Sequence, residues 1–336
     1  MIEFFRRYFK KPSTALASAN GTTSPTQDHG LTLGGITIPI SEWLLSPDLD
    51  TQYDAWLLGH QIGVASPYVE KTILAALERL RQSGLDASQL VPRVPTILLN
   101  VLKSLRDKNV SAADLAQEIS KDVVLVGELL HEVNGAYYSP AQRINSIDSA
   151  IHLLGLNGLR MLIARAAFRP IIQHQTGKLA KELAPRVWEH AEKNALACRL
   201  LAQQRQLDVF HAFLAGLLNN VGLIVAFRLV DQTGITETLP VSASFQKTFF
   251  AHANALSIEI GEQWGFPASV LHAMTEKYDL RNTGSPLTHC LRQADQLAKL
   301  RLLTNSGLMS ETDSKALLEA HSGLLHCFEQ LNQRQE

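Results

Sequence analysis

Apolar residues recur along most of this chain at intervals of three and four, the spacing that gathers them on one face of an α-helix. Ser66-Pro67 opens the first clear run, with a hydroxyl at the cap position and a proline where a missing N–H costs nothing. The run closes after Gln82 at Ser83-Gly84. Val91-Pro-Arg-Val-Pro95 is a stiff lead into a helix over Thr96–Arg106, and Ser111-x-x-Asp114 has the form of a capping box for a short helix reaching Ser120. Another helix is expected from Asp122, ahead of a turn near Tyr138-Ser-Pro140. Ser146 caps one predicted to stop at Gly155, and Asn157 can cap the next, through Arg169-Pro170.

The second half repeats the pattern in longer elements. Lys178–Gln204 carries Ala191, Ala195, Cys198 and Ala202 in a narrow stripe of small side chains, which lets another helix approach closely. Asp208 caps a predicted helix on which Phe213, Leu217, Asn220 and Ile224 share one face. Helical patterns also cover 245–264, 267–277, 285–303 and 313–331. Strand-like alternation is confined to Leu31-Thr-Leu-Gly-Gly-Ile-Thr-Ile, which reads equally as a small hairpin or an extended loop. The expected class is all-α. Before this, residues 12–35 are rich in Ser, Thr, Ala, Gly and Asn and read as a flexible linker. Residues 1–11 set Phe4, Phe5, Tyr8 and Phe9 against Arg6, Arg7, Lys10 and Lys11. They read as a weak membrane-surface or partner-docking helix, or as a short helix on its own protein or a loose end, and not as a secretory signal.

Composition narrows the class of function. With 336 residues the chain is long enough for two units, and an apolar share of 46% excludes disorder throughout. The 31 basic and 32 acidic residues cancel, so no chain-wide field draws it to nucleic acid or to anionic lipid. No uninterrupted apolar run approaches the ~18 residues of a membrane-spanning helix. The three cysteines, Cys198, Cys290 and Cys327, form no close pair, which excludes a disulfide scaffold and fits a reducing cytoplasm. Metalloprotease-like His patterns, a G-x-S-x-G elbow and a phosphate-binding P-loop are all missing; His321 and His326, five apart, do not share a helix face. No cofactor is expected. Gly155-Leu-Asn-Gly158 reads as helix-turn geometry. Arg160, Arg165 and Arg169 line up on one predicted helix, either as a stripe for an acidic partner or nucleotide phosphates or as a solvated face.

Several segments, in order, resemble one family. Val91-Pro-Arg-Val-Pro95 is similar to the Leu-Pro-x-Leu-Pro opening of the HDOD (HD-related output domain) family. The likeness continues through Ile119-Ser-Lys-Asp122, Val133-Asn-Gly-Ala-Tyr-Tyr138, Ile144-Asn-Ser-Ile147, Ala150-Ile-x-Leu-Leu-Gly155 and Trp188-Glu-His190. Phe213-Leu-Ala-Gly-Leu-Leu218 and Trp264-Gly-Phe-Pro267 complete it. The resemblance implies a two-lobed all-helical domain over 91–300, with lobes 91–176 and 178–300. The second lobe would be related to the HD metal-phosphohydrolase (phosphodiesterase-like) fold. Residues 1–90 form an N-terminal extension, with a helical segment near 66–83, and 301–336 a C-terminal helical tail.

HD chemistry uses a first His, a His-Asp doublet and a final Asp, because imidazoles donate neutral nitrogen while carboxylates bridge cations and help ionise a bound water. On the resemblance, His190 matches the first His and Asp295 the final Asp. The doublet position reads Asn219-Asn220, and Lys277-Tyr278 stands where many members place two His. Two amides supply neither the nitrogen donor nor the charge. His190, Asn219, Asn220 and Asp295 are therefore expected to form a satisfied polar cluster, with no metal and no catalysis. The function implied is a non-catalytic bacterial signal-transduction module working through a protein partner in the cytoplasm. The alternatives are a metal-dependent phosphohydrolase with altered ligands and a nucleotide second-messenger binder without turnover.

Overall fold

The helical periodicity becomes a succession of fourteen helices among the described residues, preceded by one small hairpin. The computed structural model describes residues 31–33, 36–38, 49–59, 66–83, 90–106, 111–121, 123–135, 140–234, 242–279 and 284–332. The expected amphipathic start at 1–11 and most of the linker lie outside them, as do Asp122 and Tyr138. Leu31–Leu33 (β1) pairs antiparallel with Ile36–Ile38 (β2), Thr32 opposite Thr37, so the stretch adopts the hairpin of its two readings.

Local signals set many helix ends. Leu49–Leu58 (α1) was not anticipated. Pro67–Gln82 (α2) and Thr96–Arg106 (α3) keep the predicted bounds, although the Ser66 side chain makes no capping bond. Ala112–Ser120 (α4) starts on a reciprocal box: Asp114 N–H donates to Ser111 Oγ at 3.2 Å, and Ser111 N–H donates to the Asp114 carboxylate at 2.7 Å. Val123–Val133 (α5) leads to Asn134, whose amide clamps Ile144 by bonds of 2.7 and 2.8 Å to its N–H and C=O.

The break predicted at Gly155 is present: at φ 67° and ψ −179° Gly155 leaves helical geometry and divides the run Ile147–Gln173 (α6) into two helical stretches. Three expectations need correction. The second stretch continues past Pro170, because a proline's steric demand falls on the turn before it and the helix has only three residues left. The helix predicted through Asn220 is really two, Val209–Leu218 (α8) and Val221–Gln232 (α9), separated by a turn at Asn219-Asn220. The last pattern is likewise split, into Glu311–Ala316 (α13) and Ser322–Gln330 (α14).

Between these lie Lys178–Gln204 (α7), Ala243–Gln263 (α10), Ala268–Glu276 (α11) and Pro286–Asn305 (α12). Helix α7 is the axis of the structure, packed by α8, α12, α9, α6 and α14. The small-residue stripe explains the α8 approach: a Cβ on Gly216 would lie 2.5 Å from Ala195 Cα. Asp231 of α9 accepts the first free N–H groups of α7, those of Leu179 and Ala180, at 2.8 and 3.0 Å. Gly177 permits this contact, since a Cβ there would meet the same carboxylate at 2.0 Å. Buried residues from 49 to 331 form one continuous apolar core, joined across α6 and the 264–266 turn by edge-on rings of Phe168 with Trp264 and Phe266. Two helical stretches, Ile147–Gln173 and Val209–Gln232, are long and apolar enough to cross a membrane by length and composition, and the apolar window of the second is 89% buried inside the protein.

Candidate functional site

Four side chains singled out in the sequence meet beside the middle of α7. His190 projects from α7, Asn219 and Asn220 from the α8–α9 turn, and Asp295 from α12, and all four are buried. The α8–α9 break is what delivers both amides to one place. It is held by Ser257 of α10, whose hydroxyl donates to the Asn219 carbonyl at 3.1 Å and accepts the Gly222 N–H at 2.8 Å. Gly222 is required there, because a Cβ would fall 2.1 Å from the Ala253 carbonyl oxygen.

Asn220 Nδ2 lies 2.7 Å from His190 Nδ1. With the amide donating to Nδ1, the ring proton sits on Nε2, facing Asp295 Oδ1 at 3.3 Å without the alignment of a hydrogen bond. Burial, reinforced by the neighbouring lysines, lowers the His190 pKa against the pull of Asp295, so the ring is neutral.

The other carboxylate oxygen, Asp295 Oδ2, receives two ammonium ions. Lys277 Nζ is 3.1 Å away and Lys299 Nζ 2.9 Å. Burial alone would raise the Asp295 carboxyl, but Lys277 and Lys299 outweigh it and hold it well below the usual range. Both lysines rise above their ordinary values for the converse reason: burial works to neutralise them and Asp295 prevails. Lys277 also donates to Asn219 Oδ1 at 3.0 Å. Its position follows from Arg292, which gathers the carbonyls of Glu276, Lys277 and Asp279 at 2.5–2.7 Å where α11 ends.

A helix outside the expected domain closes the cluster. The buried face of α1 is Leu49, Tyr53, Leu57 and Leu58, laid on α12 and α7. Asp50 Oδ1 lies 2.6 Å from Lys299 Nζ, and the Tyr53 ring packs on the His190 ring at 4.8 Å and under the Lys299 ammonium at 5.2 Å. Arg186 of α7 donates to the Leu57 carbonyl at 2.9 Å, finishing the C-terminal end of α1. Burial pushes the Asp54 carboxyl up to about 7 against the attraction of Lys299.

Sequence reasoning found the four-residue cluster and Lys277, and missed Lys299 and α1. Lys299 stands four residues after Asp295, on the same face of a helix. Leu49, Tyr53 and Leu57 at i, i+4 and i+8, with Ser46-Pro47 before them, were a legible helix signal for α1.

This donor set does not fit a divalent cation. It presents one imidazole and one carboxylate, and one oxygen of that carboxylate is already shared by two ammonium ions. Among the described residues no three His, Cys, Asp or Glu converge as metal ligands. The three cysteines are buried and free.

All three arginines of the stripe are engaged by the protein, Arg165 buried and Arg169 at the surface. Arg165 pairs with Glu132 of α5 and donates to Glu192 of α7 at 2.5 and 2.8 Å. Arg169 reaches Glu132 at 3.3 Å, and Arg160 binds the Ser104 carbonyl at 2.9 Å. Arg165 and Arg160 are thus committed to structural partners, while Arg169 remains half exposed.

Comparison with known proteins agrees with this architecture. The HDOD domain family matches residues 91–280. A curated relative, an uncharacterized protein of Treponema pallidum (strain Nichols), is 25% identical over 211 residues, 60% of this chain. The chain spans only 40% of that relative's length. An HDOD domain protein of unknown function from Geobacter sulfurreducens is 22% identical and superimposes with a TM-score of 0.55, covering 79% of this chain and 90% of its own. A candidate metal-dependent phosphohydrolase from Shewanella amazonensis is 17% identical, with a TM-score of 0.58 over 79% and 98% of the two chains. A candidate signal transduction protein from Marinobacter aquaeolei is 20% identical, with a TM-score of 0.52 over 86% and 67%. At these identities the structural likeness speaks for fold alone.

Proposed function

Because the chain belongs to the HDOD domain family, we propose that it is a non-catalytic bacterial signal-transduction module, acting in the cytoplasm by binding a protein partner. One observation carries the reading: Lys277 and Lys299 place two fixed ammonium ions on Asp295, at the position where the HD resemblance expects cations and a bridging carboxylate. Phosphoester hydrolysis in that lineage needs a metal to ionise a water and to take up charge on the phosphoryl oxygens. A lysine ammonium is a point charge that neither ionises a water to hydroxide at neutral pH nor opens a coordination position. The neutral His190 is tied to Asn220 and shielded by Tyr53, so no general base faces an open cleft. The Shewanella neighbour's name suggests metal-dependent hydrolysis, but this chain's donor set does not supply that chemistry.

The test is direct. The purified full-length protein, incubated with Mn²⁺, Fe²⁺ or Zn²⁺ and desalted, is expected to retain less than one tenth of an equivalent of metal, and to turn over phosphomonoesters and phosphodiesters no faster than a Asp295→Asn variant. One or two metals per chain, or hydrolysis abolished by that substitution, would overturn the reading.

A further inference from the structure

Away from the His190 cluster, the outer face of α5 borders two cavities, of about 740 and 220 Å³. Gly127 and His131 line both, so the two adjoin and form one cleft. In the larger cavity, half-buried Leu130, Pro140 and Ile144 give an apolar floor, and exposed His131, Arg143 and Asn145 give a polar rim. The smaller is bounded by Glu128 and Glu132 of α5 and by Ala166 and Arg169 of α6. The walls are fixed: Asn134 clamps Ile144 to the end of α5 at 2.7 and 2.8 Å, and Arg165 pairs with Glu132 to join α6 to α5. A cleft held open in this way binds with little ordering cost.

Two further observations point to an occupant. Gly127 stands in the middle of α5, where glycine is a poor helix former. Nothing in the fold requires it: its φ is not positive, and a Cβ there would meet no atom within 4 Å. What it leaves is a shelf of bare backbone between the two cavities, where another chain can approach α5 closely. The second observation is charge. Arg143, His131 and Glu128 make no hydrogen bond or ion pair with the described residues. The other charges lining the cleft, Glu132 and Arg169, are engaged with each other and, for Glu132, with Arg165. The free guanidinium lies in the large cavity beside aliphatic side chains, and the free carboxylate of Glu128 lies at the other end, in the small one.

We propose that this cleft is where the partner protein docks, through an extended acidic segment. An Asp or Glu of that segment pairs with Arg143, an aliphatic neighbour packs on Leu130 and Ile144, and its backbone crosses α5 at Gly127. A guanidinium and a carboxylate form a pair of parallel, charge-assisted hydrogen bonds, which gives direction as well as attraction. The far end of the cleft selects a peptide over a polyanion. Glu128 would repel the successive phosphates of a nucleic acid, whereas a protein segment changes charge from one residue to the next. This rests on the reading of the protein as a partner-binding module; it adds where the partner binds and what chemistry it presents. No residue lining the cleft belongs to the His190 cluster.

A phage-displayed library of random twelve-residue peptides is selected on the full-length protein, with the Gly127→Leu protein as soluble competitor. Sequences carrying Asp or Glu next to Leu, Ile or Val are expected to be enriched. A synthetic peptide of the enriched sequence is then titrated by fluorescence anisotropy. Gly127→Leu is expected to weaken binding at least tenfold while the unfolding midpoint stays the same or rises, because leucine fills the shelf and favours the helix. Arg143→Glu is expected to weaken binding at least tenfold, and exchanging the peptide's acid for Lys should bring it back to within threefold. Should Gly127→Leu fail to unfold cooperatively, Arg143→Glu serves as the competitor in its place. The proposal is overturned if no acidic sequence is enriched, if both variants bind the peptide as tightly as the wild type, or if the charge exchange restores nothing. A concentration-dependent dimer in sedimentation, abolished by Gly127→Leu, would assign the cleft to a second copy and overturn the acidic segment. A uridine 20-mer that binds the wild type and not Arg143→Glu would overturn it in favour of nucleic acid. Metal content and hydrolysis are measured on the same samples. Turnover there defeats the non-catalytic reading, whereas absent peptide binding without turnover defeats only this inference.

Discussion

Two buried ion clusters in this protein are mirror images in charge. Beside α7, one carboxylate, Asp295, lies between two ammonium ions, Lys277 and Lys299. Where α5, α6 and α7 meet, one guanidinium, Arg165, lies between two carboxylates, Glu132 and Glu192. Each is left with one uncompensated charge and each borrows a fourth group to close it. At the helix junction that group is Arg169, four residues along the same helix as Arg165. In the candidate site it is Asp50, on a short helix 249 residues away in sequence. The helix-junction cluster is closed from within its own helix and the candidate site by a helix distant in sequence, so only the candidate site depends on how α1 packs on α7 and α12.

The largest effect is expected where the central group of a cluster is lost. Asp295→Asn would leave two buried ammonium ions facing each other, and breaking a buried pair in this way costs about 3–5 kcal/mol. Denaturant unfolding is expected to show a loss in that range; a loss under about 1 kcal/mol would mean that water reaches the lysines and that α1 does not seal the site.

Arg165→Met tests the other cluster. Glu132 and Glu192 would be stranded, but Arg169 still reaches Glu132, and Glu192 can take up a proton, since burial already raises its pKa despite Arg165. The expected cost is smaller, about 2–3 kcal/mol at pH 8, and it should shrink as the pH falls and Glu192 is neutralised. A cost that stays constant between pH 8 and pH 5 would show that these carboxylates do not feel each other.

The smallest effect belongs to Asp54, and it concerns pH. Lys299 and Asp295 on α12, with Asp50 and Tyr53 on α1, are the charged and titratable groups that act on it. Burial lifts its folded pKa to about 7, against 3.8 for an ordinary aspartate. Between those values the folded chain keeps a proton that the unfolded chain has lost. Stability from this group is therefore present at low pH and falls as the pH rises through 7. Comparing wild type with Asp54→Asn cancels the other groups: the wild type is expected to lose on the order of 1 kcal/mol relative to the variant between pH 5 and pH 8, solvent screening a half-buried carboxylate. Parallel curves would mean that Asp54 titrates as if in water. Loosening confined to 49–58, seen by amide exchange, would mark α1 as the separable element of the comparison.

The sequence by itself determined where most helices begin and end, because caps, prolines and glycines act within one or two turns of chain. The capping box at Ser111 and Asp114, the bounds of α7 and the bounds of α3 were legible for that reason. It also determined that His190, Asn219, Asn220 and Asp295 were worth watching, through a resemblance carried by motif order. Tertiary structure decided the rest. Whether α8 runs on through Asn220 or breaks there depends on Ser257 and on the close contact at Gly222, both supplied by α10. Whether the arginine stripe meets a partner or the protein depends on Glu132 and Glu192, which no helical period of α6 can report. The charge of the candidate site was the least legible of all, because it is a sum over Lys277, Asp295, Lys299 and Asp50, and only the packing of α1 and α11 against α12 brings those four within a few ångströms.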